Sequence, residues 1–280
     1  MDISIGEFLD KVEIEIMNKK IQEFNSMDFR DISSRKIQEK LFEIICVEDT
    51  NSGLFSVFPY YFIEVPKGER LFRVRKFDAF KELYNKNLTP NDLWNNPKSP
   101  IGRMNLEGEP VLYLCMNSPE TACHEAKVEN NETFTLIVFT VIEDISLTAV
   151  YAQNRYDGNL NDLQQEKADI LNNFLYEKLC MDIAADNSYF YKITNSIKYI
   201  FANYEKTECD GCLYPSAITR SSVNLCLKYP NFKSKLKIDG FIRGEKTDKA
   251  FHFSLGATPY ENNEISVSVV SEDFMKILGL

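Results

Sequence analysis

From Ile5 to Phe24 the apolar residues Ile5, Phe8, Leu9, Val12 and Ile16 recur at the three- and four-residue spacing of an amphipathic helix. A second stripe, Ile37, Leu41, Ile44 and Ile45, predicts another. Together they predict an N-terminal helical module over residues 1–65, which ends where Val65-Pro66-Lys67-Gly68 interrupts regular structure. No titratable cluster marks a site in it, so packing, partner binding or covering of a site elsewhere is expected of it rather than chemistry.

Beyond Pro66 the pattern changes to short runs with period-two alternation and β-branched or aromatic content. Leu71–Arg75, Pro110–Cys115, Phe134–Val141, Ser222–Lys228, Leu236–Ile242 and Ala250–Leu255 read as strands. The run Phe134-Thr135-Leu136-Ile137-Val138-Phe139 is nearly continuous in apolar residues, as expected of a central strand covered on both faces. Helices are predicted over Asn161–Leu179, with Leu163, Ile170 and Phe174 inward, and over Ser188–Ala202, with Phe190, Ile193, Ile197 and Ile200 inward. The fold class expected is α+β: a mixed-sheet catalytic domain over residues 66–280 with the helical module before it.

With 44% hydrophobic and 26% charged residues, the 280-residue chain reads as globular rather than disordered. Its net charge of -10 argues against a hold on nucleic acid, which needs a concentrated basic surface. No apolar run reaches the roughly 20 residues of a membrane span, and the N-terminus lacks the basic start of a secretory signal. A cytoplasmic protein without a membrane partner is expected. The seven cysteines follow no secreted disulfide pattern and read as reduced, buried residues. Cys209 and Cys212 form a Cys-x-x-Cys pair, but no second pair follows to complete a zinc site, so no metal is expected.

Four patterns hold residues that a packed core does not require: Leu71-Phe72-Arg73-Val74, Ile101-Gly102-Arg103-Met104-Asn105, Val111-Leu112-Tyr113-Leu114 followed by Ser118-Pro119-Glu120-Thr121-Ala122-Cys123-His124-Glu125, and Asp210-Gly211-Cys212-Leu213-Tyr214-Pro215-Ser216 with Asn224 beyond. Strand alternation puts Leu71, Arg73 and Arg75 on one face, where Arg73 alone would read as a solvent-facing arginine of an edge strand. Arg103 is balanced between a surface ion pair and a ligand role, with Gly102 allowing close approach to a ligand. Tyr113 reads as a core tyrosine whose hydroxyl needs a partner. Ser118 and Pro119 are a helix start, and Glu125, on a face of small residues, requires arginine or tyrosine partners or an open cleft. Ser216 ends a short strand and would present its hydroxyl at a rim, with Asn224 able to reach the same cleft. The chain has only two histidines and no Gly-x-Ser-x-Gly elbow, which argues against a serine hydrolase; it also lacks glycine-rich nucleotide loops, which argues against a dehydrogenase.

In order and context these motifs resemble the RES-domain family, named for its Arg, Glu and Ser and known mostly as toxins of bacterial toxin-antitoxin modules. The resemblance runs from Arg70 to His252 and is strongest between Gly102 and Glu125. It implies a fold related to ADP-ribosyltransferases and cleavage of NAD, as substrate rather than cofactor, at the nicotinamide–ribose bond. By that resemblance Glu125, Arg73 and Ser216 are catalytic, and Arg73, Arg103, Tyr113, Ser216 and Asn224 bind substrate. It also implies a cognate antitoxin, leaves room for a homo-oligomer, and leaves water, phosphate or a protein side chain as acceptor of ADP-ribose. Met104 departs from the family, which usually has an aromatic there, and a non-catalytic module that recognises a nucleotide or protein is the reading of another class.

Overall fold

The computed structural model describes residues 4–49, 54–58, 61–85, 88, 90–94, 99–116, 118–149, 160–181, 183, 185–203, 209–218, 222–259 and 265–277. Helices α1 (Ile5–Asp10), α2 (Ile14–Asn25) and α3 (Ser34–Ile45) come first, then a hairpin of β1 (Cys46–Asp49) and β2 (Leu54–Val57). The main elements follow as β3 (Tyr61–Val65), β4 (Arg70–Arg75), α4 (Ala79–Tyr84), α5 (Pro90–Trp94), β5 (Val111–Cys115), α6 (Pro119–Glu125), β6 (Thr133–Val141) and β7 (Ile145–Ala149). After α7 (Asp162–Cys180), a short 3-10 turn and α8 (Tyr191–Asn203) come β8 (Gly211–Pro215), β9 (Val223–Lys228), α9 (Asn231–Lys235), β10 (Leu236–Lys246), β11 (Phe251–Pro259), β12 (Ile265–Val269) and α10 (Glu272–Ile277). The architecture is α+β, around a ten-stranded mixed sheet of order β12-β11-β10-β6-β4-β5-β9-β8-β7-β3, in which β7 and β8 run parallel.

Burial explains this order. Along β6, Phe134, Leu136 and Val138 pack on one side with α6, while Ile137, Phe139 and Val141 join the cluster around α4 and α5 on the other. A strand sandwiched in this way belongs near the middle of the sheet, and β6 pairs with β10 and β4 along most of its length. The two faces of β5, β8 and β9 are likewise divided. Val111, Tyr113, Cys212, Tyr214 and Cys226 pack under α7 and α8, whereas Leu112, Leu114, Leu213, Leu225 and Leu227 face the opposite cluster.

The N-terminal helices do not form a core of their own. Phe8, Leu9, Met17, Phe24, Ile37, Leu41 and Ile45 share one hydrophobic cluster with Leu171, Phe174, Ile193 and Ile197 of α7 and α8. The rest of the predicted helical module is β1, β2 and β3, and β3 enters the main sheet beside β7. A boundary at residue 65 would therefore cut through a shared core and a sheet edge.

Two helix faces differ from the sequence pattern. The continuous stripe from Ile5 to Ile16 is broken between Asp10 and Ile14, which resets the helical phase. Met17 turns inward and Ile16 is 47% exposed. In α7 Phe174 is buried as expected, but the rest of the stripe is Ala168, Leu171, Leu175 and Leu179, and Leu163 in the first turn is 53% exposed. Helix α7 starts where Asn161 and Gln164 form a reciprocal cap, so its beginning is set by capping rather than by burial of Leu163.

Candidate active site

The geometry of the site begins with an incomplete ladder. Strand β4 pairs with β6 from Arg70 through Arg75, but with β5 only at Phe72 opposite Cys115. The two halves of the sheet separate beyond that point, and a cavity of about 750 Å³ opens at the seam. Its walls include Arg73, Arg103, Tyr113, Glu125 and Asn224, brought together from four stretches of chain, and its size is within the range of small-molecule sites.

Helix α6 delivers Glu125. The Ser118 hydroxyl accepts a hydrogen bond from Thr121 N at 3.1 Å, and Pro119 occupies the first helical position. Ala122 and Cys123 are buried in the cluster that includes Phe72, so the helix lies close to the sheet and its last residue, Glu125, reaches the cavity wall. The Ser216 hydroxyl donates to Glu125 Oε1 and accepts from Ile218 N at 3.0 Å. Ser216 has no exposed surface and stands behind the carboxylate rather than at a rim. Ser216 N also donates to the Ser222 carbonyl at 2.9 Å. Its position suits a residue that orients Glu125, not one that attacks or grips a ligand.

Arg73 approaches from β4 and donates from Nη1 to the Trp94 carbonyl at 2.6 Å. Among the described residues no carboxylate lies within ion-pair distance of it, in contrast to Arg70 on the same strand, which pairs with Asp239. Burial pushes the Arg73 pKa down to about 10, Arg75 adds repulsion, and Tyr113 partly offsets both. The group stays cationic at neutral pH but is poorly solvated and has no counter-charge among the described residues, a state that an anionic ligand relieves. Arg75, on the same face, donates to the Asp92 carbonyl and lies over the Phe77 ring.

Arg103 comes from the loop before β5. Its guanidinium donates to the Leu179 carbonyl and, at 3.1 Å, to the Met181 carbonyl at the end of α7. It too has no carboxylate partner among the described residues. Tyr113 fixes the loop: its hydroxyl accepts from Met104 N at 2.7 Å and donates to Asn105 Oδ1 at 2.8 Å. That hydroxyl is committed inside the protein, and burial holds it protonated. Gly102 is required for the same reason, because a Cβ there would collide with Asn105 Oδ1; the close approach is to the protein's own loop and not to a ligand. The Met104 side chain is fully buried in the cluster under α7 and α8, so position 104 offers no stacking surface to the cavity.

The remaining wall was not legible as a site. Tyr191, Tyr214, Ile183, Ala217 and Ile218 give it an apolar flank, beside Asn224, which is buried on β9. Burial raises the Tyr214 pKa, and the nearby Glu125 carboxylate adds to the effect. Tyr191 carries no signal of its own, since an aromatic at a helix start reads as core. Among the described lining residues Glu125 is the only carboxylate, beside the cations Arg73, Arg103 and Lys127, in a chain of net charge -10. No described residue before Phe72 lines the cavity.

Other candidates lie elsewhere. His124 is exposed and packs edge-on against Phe251, which leaves it outside the cavity. Cys212 faces Cys226 across β8 and β9, whereas Cys209 accepts from the Thr148 hydroxyl at 3.4 Å. Among the described residues no group of three or more His, Cys, Asp or Glu side chains is placed to hold a metal ion. The chain matches no protein-family model and no curated protein.

Proposed function

We propose that the protein cleaves NAD at the nicotinamide–ribose bond and transfers ADP-ribose to water or phosphate, on an ADP-ribosyltransferase-like fold. The observation that carries this reading is the pairing, in one cavity, of two guanidinium groups that have no carboxylate partner among the described residues with a carboxylate, Glu125, that a buried serine orients. Arg73 and Arg103 hold the pyrophosphate through charge-assisted hydrogen bonds and fix the reacting geometry. As the bond breaks, nicotinamide leaves with the bonding electrons and a ribosyl cation forms. Glu125 stabilises that charge by electrostatics and by accepting from ribose hydroxyls. Water or phosphate then adds to the same carbon, and its proton passes to solvent. The apolar flank of Tyr191, Tyr214 and Ile218 supplies a surface for a planar ring.

On this reading the protein is a toxin of RES-domain type that acts in the cytoplasm by depleting NAD, and its producer needs an antitoxin that covers the cavity. Incubation with NAD should release nicotinamide. Mass spectrometry of the second product separates free ADP-ribose, its phosphorylated form and an ADP-ribosylated protein. Absence of both nicotinamide release and NAD binding would overturn the proposal.

A further inference from the structure

We infer that Asn195 and Lys198 of α8 are positioning residues for Arg103, acting through the carbonyls on either side of it. Asn195 Nδ2 donates to the Gly102 carbonyl at 2.8 Å, and Lys198 Nζ donates to the Met104 carbonyl, also at 2.8 Å. The two side chains are three residues apart, and such residues share a helix face. They therefore clamp the backbone immediately before and after Arg103. Asn195 is 92% buried, from an exposure of 8%. The same amide donates to the Tyr191 carbonyl at 2.9 Å, so one side chain joins the loop that carries the guanidinium to the residue that lines the apolar flank.

The rest of the loop leaves little slack. Lys198 also pairs with Glu109 at 2.7 Å, and Glu109 Oε2 accepts from Leu106 N at 2.9 Å. Asn105 Nδ2 donates to the Pro100 and Leu106 carbonyls, each at 2.8 Å. Arg103 itself spends donors on the Leu179 and Met181 carbonyls. A guanidinium has five N–H donors, so this tether fixes its plane and leaves donors for an anion. Neither Asn195 nor Lys198 lines the cavity, which makes their effect on a ligand indirect. The inference rests on the reading of Arg103 as an anion-gripping residue.

The test uses the full chain and ADP-ribose as the probe, with binding measured by calorimetry for Asn195→Ala, Lys198→Met and Lys198→Arg, alone and combined with Arg103→Ala. Loss of alignment should weaken binding roughly tenfold or more in the first two variants, with rescue by Lys198→Arg, which keeps a donor at similar reach. In the Arg103→Ala background the same substitutions should change binding by less than about twofold, because their route to the ligand is gone. Wild-type affinity in Asn195→Ala and Lys198→Met, or effects that multiply fully in the Arg103→Ala background, would overturn the inference. A second measurement does not depend on the ligand: the Arg103 Nε–H resonance should shift and broaden in both variants. If it stays unchanged in folded protein, the positioning role is wrong even if NAD is cleaved. If it shifts while no variant or wild type binds ADP-ribose, the positioning role stands and the NAD reading fails.

Discussion

Strand β4 has two neighbours and treats them differently. Toward β6 it is paired along its whole length, with Leu71 and Phe72 buried in the clusters on either side; toward β5 it is joined at one residue pair. The arginines follow the same division. Arg70, beside the closed ladder, is neutralised by Asp239 and donates also to the Thr140 hydroxyl, while Arg73, at the open seam, has only the Trp94 carbonyl among its described contacts. One strand thus supplies a structural arginine and a candidate binding arginine three residues apart. The difference lies in what the neighbouring strand fails to cover.

Substitutions at five positions can break or sharpen this contrast. Glu125→Gln should have the largest effect on activity, because the amide keeps the shape and removes the charge facing the ribosyl cation. Groups of this kind are worth about 3 to 4 kcal/mol, so nicotinamide release should fall two to three orders of magnitude with an unchanged circular-dichroism spectrum. More than half of wild-type activity in this variant would remove Glu125 from the chemistry. Arg73→Ala and Arg103→Ala should each weaken ADP-ribose binding by roughly 1.5 to 3 kcal/mol. Lysine should restore little of it, since it keeps the charge but loses the planar fork.

Ser216→Ala should lower kcat by about tenfold with a smaller change in KM, because it frees Glu125 without removing it. A change confined to KM would instead put Ser216 in ligand binding. Arg70→Ala is the control on the closed side. It should cost about 1 to 2 kcal/mol of stability in chemical denaturation while kcat/KM stays within about twofold of wild type. Equal loss of activity in Arg70→Ala and Arg73→Ala would erase the distinction between the two sides of β4.

The parts of the fold that were legible in the sequence are those where burial writes a period into the chain. Strand β6 shows a nearly unbroken apolar run because both faces are covered, and α3 shows its stripe because Ile37, Leu41, Ile44 and Ile45 all face inward. The interruption between α1 and α2 carries no glycine or proline, so the stripe continued on paper through a break in space. Strand β12, Ile-Ser-Val-Ser-Val, does alternate, but it lies at the sheet edge with Val269 exposed and is not among the predicted strands. In the site, motif residues separated by long stretches of sequence could be named but not their division of labour. Tyr113 and Gly102 serve the Arg103 loop, and Ser216 stands behind Glu125, because hydrogen-bond partners are fixed by tertiary approach. The seam was invisible, since an unmade strand pairing has no sequence signature.

The single β4–β5 pair makes the seam a mechanical joint. Arg73 stands on one bank, while Tyr113, Asn224 and the loop of Arg103 stand on the other; α6 and the bond from Ser216 to Glu125 lie across the gap as tie-rods. A ligand held from both banks becomes one more cross-brace, and its binding energy is then carried by the fold as well as by the site. At a hundred times its dissociation constant such a ligand adds about 2.7 kcal/mol to the stability of the whole sheet. Occupancy can therefore be read as stiffness: the backbone amides of β4 and β5 that face the seam should gain protection from hydrogen exchange together when the gap is spanned.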